Sequence, residues 1–277
     1  MHIQLDIRRT GRLASLPPHK ELGFGKIFTD HMFVVDFDPQ QGWHGARIEP
    51  YGPLTLDPAA AVFHYGQAMF EGLKAFRGPD GHVRLFRVDA HCERMQVGAA
   101  RMCMPPVPAE LMKQAVVAFT QAEQEWVPST LGTSLYVRPT LVATEPFLGV
   151  RPSAHQTFFI IASPVAAYYA EGMNPVKIWI EDNYVRASRG GLGAVKAGAN
   201  YAASLAAAEE AKKMGYSQVL WLDAVHHREL EEVGTMNVFV RIGDEVITPS
   251  LSGSILAGIT RDSVITLLRD WGYKVSE

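Results

Sequence analysis

The chain has 277 residues, 47% of them hydrophobic and 20% charged. That length exceeds the usual single compact domain, and the composition suits a globular protein able to bury large cores, so two domains are expected. A formal net charge of −3, without clustered lysine and arginine, excludes a nucleic-acid footprint, and no run reaches the roughly 18 apolar residues that suggest a membrane span.

The opening MHIQLDIRRTGRLASLPPHK has no apolar stretch like a signal-peptide core. Strand-like runs, rich in β-branched and aromatic residues, follow at 31–37 (HMFVVDF), 83–88 (VRLFRV), 134–142 (SLYVRPTLV) and 157–162 (TFFIIA). Between them a helix is expected after Asp89, a candidate N-cap, carrying Glu93 and Arg94. A second helix is expected over 108–126, with Pro108 in its first turn. Cys92 and Cys103 are the only cysteines. They lack metal-site spacing and read as reduced, buried packing residues of a cytoplasmic protein.

Proline, glycine and asparagine at 163–174 (SPVAAYYAEGMN) mark a boundary. The expected layout is a small α+β domain over 1–165, a loop over 166–174 and a second domain over 175–277. In the second half a strand at 176–180 leads into a glycine-rich loop. An Ala-rich helix over 201–214 should end at Gly215. A strand at 218–222 follows, then strands at 237–242 and 245–248 flanking a Gly243-Asp244 hairpin turn. A last helix runs over 260–271 and closes at Gly272. Strands and helices mixed in both halves give an α+β or α/β fold, not an all-α one.

The most informative segment is 189–201, RGGLGAVKAGANY. Glycines let the backbone approach a ligand and take positive φ. A partly desolvated lysine there, Lys196, can act as an amine nucleophile; a solvated loop lysine is the plainer reading. Glu232 leads into an apolar run, where a carboxylate could keep a pyridine nitrogen protonated or simply lie at the surface. Gly258-Ile259-Thr260 precedes the final helix and could form an anion site or a simple Thr260 N-cap. Arg94 and Arg138 have the forked guanidinium that suits phosphate or carboxylate. Arg138 lies inside a strand, where a charge needs a partner, a cavity or an exposed edge.

These pieces fall in the order of one family. GLGAVKAGANY, WLDAVHHRELEEVGTMNVF and GSILAGITR resemble the branched-chain aminotransferases, pyridoxal-phosphate enzymes of fold type IV. The 232–261 stretch resembles the class-IV signature, with Asn237, Phe239, Thr248, Gly258 and Arg261 in place. FGKIFTDHM, HYGQAMFEGLKAFRG, VRLFRVDAHCERM, TSLYVRPTLVATEPFLGV and SPVAAYY resemble segments of the same family, so the likeness runs from Phe24 to the end.

The resemblance implies an α+β fold of two α/β-type domains, the second binding pyridoxal 5′-phosphate. Lys196 would form the Schiff base with the cofactor aldehyde, Tyr201 would hydrogen-bond its phenolic oxygen, and Glu232 would pair with the pyridine nitrogen. Arg94, Ile259 and Thr260 would hold the phosphate. Phe24, Tyr65, Phe70, Tyr136, Tyr168, Thr235 and Met236 would line the substrate side, and Arg138 would bind the second carboxylate of glutamate. Simple core packing is the plainer reading of the aromatic set. The implied reaction moves the amino group of L-leucine, L-isoleucine or L-valine to 2-oxoglutarate in two half-reactions, with ping-pong kinetics. The implied assembly is a homodimer in which Tyr65 reaches the neighbouring subunit's site.

Two departures stand out. Near Lys196 the chain reads AVKAGANY, with alanine where relatives often have glycine or a bulkier residue. Family members also continue for roughly 80 residues, about half a domain, past the point matching WGYKVSE. That part carries a Gly-Thr-Ala stretch for phosphate and substrate carboxylate, and in some members a Cys-x-x-Cys pair. The second domain is therefore expected to be incomplete here. Rival readings are a D-amino-acid aminotransferase or aminodeoxychorismate lyase of the same fold, and a non-catalytic cofactor-binding or dimerising chain.

Overall fold

A computed structural model describes residues 5–10, 14–166 and 174–277. Of the expected interdomain loop at 166–174, residues 167–173 lie outside the described residues, and Tyr168 with them. The chain divides into two compact units, Met1–Gly172 and Met173–Glu277. Among the described residues, no helix is long and apolar enough to cross a membrane.

The first unit is built on one eight-stranded sheet. Its strands run in the order Asp6–Ile7, Gly42–Pro50, His31–Asp38, Gln156–Val165, Ser134–Ala143, Leu73–Arg77, Val83–Leu85, and Ala68–Phe70 pairs with Ser134–Ala143 off this path. Among the described residues, the Asp6–Ile7 pairing is its one parallel contact. The two central strands alternate, with Leu135, Val137, Phe158 and Ile160 buried and Tyr136, Arg138, Phe159 and Ile161 only half-buried between them, whereas His31–Asp38 buries the consecutive Met32, Phe33, Val34 and Val35. Arg138 therefore lies in an interior strand, not at an edge.

Helix Ala109–Ala122 buries Leu111, Met112, Ala115, Val116 and Phe119, the i, i+4 stripe of a core-facing helix. Pro108 sits just before it, at the cap. The expected extension to Trp126 is instead a separate turn, Gln124–Trp126. The chain leaves the helix at Glu123, whose buried carboxylate accepts from His31 Nδ1 at 2.5 Å and from the Asp30 N–H at 3.0 Å. The other helix, Val88–Arg101, starts earlier than expected, and the preceding strand stops at Leu85. Arg87 takes a left-handed turn (φ 53°) at the cap. Asp89 is thus in the first turn, where its charge complements the helix dipole. Cys92 is buried as expected and its thiol is pushed up to about 12 by burial. Cys103 is exposed, against expectation, because the chain reverses there at φ 53° beyond the helix end.

The second unit has a four-stranded sheet, ordered Met236–Asn237, Leu230–Val233, Gln218–Leu222, Ile178–Glu181. The last two are parallel, and the crossover between them carries helices Gly198–Ala203 and Leu205–Lys213. The single helix expected over 201–214 starts earlier and breaks at Ser204. Its hydroxyl bonds back to the Tyr201 carbonyl at 2.8 Å, a local bond that competes with helix continuation. Gly215 (φ 83°) closes the second helix. Ala207, Ala211, Val219 and Trp221 form the core, packed with Trp179 and Tyr216.

The strand expected over 237–242 is split. Met236–Asn237 belongs to the four-stranded sheet, while Val240–Ile242 pairs with Glu245–Ile247 across the expected Gly243-Asp244 turn. Lys274–Ser276 completes this three-stranded sheet, and helix Ile259–Asp270 precedes it.

Candidate active site

In the second unit, Glu232 is 2% exposed. A tight turn with Gly234 at φ 57° joins its strand to the next and sets Glu232 opposite Asn237. Asn237 Nδ2 donates to Glu232 Oε1 at 3.0 Å and to the Leu256 carbonyl at 2.9 Å. The Leu256 N–H reaches the same Oε1 at 3.3 Å. Oε2 lies 2.7 Å from Arg186 Nε, yet receives no well-directed hydrogen bond. Burial pushes the Glu232 carboxyl above its ordinary range, while the Arg186 and Lys196 charges and the Leu256 N–H pull it back. A buried carboxylate oxygen with an unused lone pair fits a pyridine N–H.

Lys196 Nζ donates to the Tyr201 hydroxyl at 2.8 Å. Two contacts fix the loop that carries the lysine. Asn200 Nδ2 donates to the Leu192 and Val195 carbonyls at 2.7 and 2.8 Å. Gly193 packs so tightly on the Ser254 backbone that a methyl group there would overlap it. The close approach expected of these glycines is thus made to the chain's own backbone.

Helix Ile259–Asp270 begins with Gly258 at the cap, so Thr260 is the second helical residue and not the N-cap. Ile259 is buried and Thr260 exposed. A helix start directs its first N–H groups outward, the arrangement that holds phosphate. A methyl group on Gly258 would overlap the Asn237 carboxamide, so the helix start and the Glu232 support depend on each other. Thr235 and Met236 are exposed at the hairpin turn.

In the first unit, Arg138 lies over the rings of Phe70 and Tyr136, at 4.3 and 5.1 Å from their centroids. Its Nη2 donates to the Tyr136 hydroxyl at 2.9 Å. Its Nε is buried without a hydrogen-bond partner. Phe24 packs on Tyr136 with ring centroids 5.1 Å apart. An aromatic-walled guanidinium with an unused donor is suited to a carboxylate. Arg94 is held by Glu71, through Nε to Oε1 at 2.7 Å and Nη2 to Oε2 at 2.8 Å. Tyr65 is exposed, bonds to the Leu148 carbonyl and does not join the aromatic cluster.

The family model for amino-transferase class IV matches residues 68–277. Branched-chain-amino-acid transaminase 1 of Bacillus subtilis (strain 168) is 53% identical over 262 residues, covering 94% of this chain and 74% of that protein. The chain belongs to the branched-chain-amino-acid aminotransferases. The crystal structure of the Escherichia coli branched-chain amino acid aminotransferase matches with a TM-score of 0.75 at 25% identity, over 90% of this chain and 77% of that one. The branched-chain amino acid aminotransferase from Thermobaculum terrenum, in its PLP-form, shares the fold, with a TM-score of 0.71 at 23% identity, over 88% of this chain and 76% of that one. The α+β, fold type IV expectation therefore holds.

Several residues of this aminotransferase escaped the sequence reading. Arg186, Asn200 and Glu71 lie outside the roles drawn from the resemblance, and Asn237 entered only as part of a signature. A polar residue flanked by apolar ones at Asn237 was the available signal; Arg186 and Glu71 gave none, because their burial is set by distant segments.

Proposed function

We propose that this chain moves the amino group of L-leucine, L-isoleucine or L-valine to 2-oxoglutarate, giving the branched-chain 2-oxo acid and glutamate, with pyridoxal 5′-phosphate as cofactor. The observation that carries this reading is the buried Glu232 carboxylate, braced by Asn237 and Arg186 and close enough to Lys196 to feel its charge. When bound, the cofactor supplies an electron-accepting ring. Glu232 would hold the ring nitrogen protonated. Lys196 would attach the cofactor and then carry the proton to and from the substrate Cα as general base and acid. Tyr201, which accepts from Lys196, would hold the phenolic oxygen. Arg94 and the Ile259-Thr260 helix start would take the phosphate.

Arg138 would bind the second carboxylate of glutamate, with Phe24, Phe70 and Tyr136 around it. The rings suit a branched apolar side chain in the other half-reaction. One methylene is worth only about 1–3 kcal/mol, so selectivity among the three amino acids is expected to be weak. Tyr65, Tyr168, Thr235 and Met236 complete the proposed substrate side. A homodimer, with Tyr65 serving the neighbouring site, and a cytoplasmic setting accord with the resemblance and with the two free thiols. The test is turnover with L-leucine and 2-oxoglutarate beside D-alanine and 2-oxoglutarate. Ping-pong turnover of leucine supports the reading; turnover of D-alanine alone overturns it.

A further inference from the structure

Glu71 is 0% exposed, in the bend between strands Ala68–Phe70 and Leu73–Arg77. Its carboxylate meets both Nε and Nη2 of Arg94, and Oε2 also lies 2.7 Å from His91 Nδ1. Arg94 and His91 are three residues apart on helix Val88–Arg101, hence on one face. The carboxylate therefore pins that face of the helix to the sheet.

A buried carboxylate usually needs a stated reason, because its desolvation is costly without full pairing. Burial raises the Glu71 carboxyl, but the Arg94 and His91 contacts outweigh it and hold it at about 2. It is thus a fixed anion. A bidentate carboxylate locks a guanidinium's plane and rotation, so Glu71 fixes the orientation of Arg94. Its neighbours in sequence each fit one residue of the candidate site: Phe70 lies under Arg138, and Gly72 leaves room for the Tyr136 hydroxyl.

Resting on the proposed role of Arg94, we propose that Glu71 is a positioning residue, which orients the Arg94 guanidinium for the cofactor phosphate. Outer partners of this kind typically change affinity about 10- to 100-fold when removed. Glu71→Gln keeps the shape, but its amide must turn N–H donors toward Arg94 or His91.

The experiment compares two ligands on the full chain, pyridoxal 5′-phosphate and pyridoxal, which lacks the phosphate. Binding is followed by the absorption band of the Lys196-bound form, for wild type, Glu71→Gln, Glu71→Asp and Arg94→Gln. Glu71→Asp retains the charge and covers the case in which Glu71→Gln does not fold. The expected result for the Glu71 variants is weakening by about tenfold for pyridoxal 5′-phosphate, with pyridoxal within about twofold of wild type. Adding either Glu71 substitution to Arg94→Gln should produce little further phosphate-specific loss. Equal weakening of both ligands, or of neither, overturns the proposal for Glu71 while leaving Arg94 standing if Arg94→Gln alone discriminates between them. If Arg94→Gln does not discriminate, the phosphate role of Arg94 falls and this inference with it.

Discussion

Glu232 and Asn237 face each other across a tight hairpin turn, and the Asn237 carboxamide donates at once to Glu232 Oε1 and to the Leu256 carbonyl. One side chain thus ties the buried carboxylate to the segment that leads into the helix start at Gly258. Asn237→Ala would leave two buried acceptors short of a donor, at about 1–3 kcal/mol. We expect lower stability to urea and weaker pyridoxal 5′-phosphate binding. Gly258→Ala should do the same, since its methyl group would displace that carboxamide. Unchanged cofactor affinity in both variants would contradict the linkage.

Tyr201→Phe tests the Lys196 contact. It keeps the ring and removes the hydroxyl that accepts from Lys196 Nζ. A hydrogen bond involving a charged group is worth about 1.5–3 kcal/mol. The half-reaction with L-leucine should therefore slow by about 10- to 100-fold, with the protein still folded by circular dichroism. A rate within about twofold of wild type would remove Tyr201 from the chemistry.

Arg138→Met should separate the two substrates. Its buried Nε has no hydrogen-bond partner, so if the guanidinium takes the second carboxylate its loss should raise the KM for 2-oxoglutarate by about 10- to 100-fold, the range for charge-assisted bonds. The leucine half-reaction should change far less. Gly72→Ala should give a weaker version of this split, because its methyl group would push on the Tyr136 hydroxyl that Arg138 holds. Parallel losses with leucine and 2-oxoglutarate would place Arg138 in general packing.

The buried acids predict opposite responses to pH. The Glu71 carboxyl falls from its ordinary 4.5 to about 2 on folding, so the unfolded chain takes up that proton more readily. Its stabilisation, roughly 3 kcal/mol, is complete above the ordinary value and is lost as pH falls toward 2. Glu231 and Glu232 are raised, chiefly by burial. Their contribution is complete below the ordinary value and is lost as pH rises through their folded values. Urea titrations at pH 7, 4 and 3 should show Glu71→Gln less stable than wild type at pH 7, with the gap closing on acidification. A gap that stays constant with pH would mean Glu71 is not a fixed anion.

The fold was legible where periodicity and turn chemistry agree. The strand runs at 31–37, 134–142 and 218–222 and the Gly243-Asp244 hairpin lie within a few residues of their observed bounds. It was less legible at element ends, where tertiary partners decide. Glu123 leaves its helix to meet His31, and Ser204 breaks the Ala-rich helix by bonding back to Tyr201. Among candidate site residues, Phe24, Phe70, Tyr136 and Arg138 gather in one cluster, and Lys196 and Tyr201 meet directly. Arg186 and Glu71 were illegible because their partners, Glu232 and Arg94, lie 46 and 23 residues away in the chain. Spacing alone carries no sign of such pairs.

The most direct test of the central claim is the absorption spectrum of the 277-residue chain with pyridoxal 5′-phosphate, before and after L-leucine, beside Lys196→Ala. The account predicts a band from the lysine-bound cofactor that disappears with leucine, returns with 2-oxoglutarate and is absent from Lys196→Ala. Folded wild-type protein without that band, or the same band in Lys196→Ala, would contradict Lys196 as the cofactor lysine.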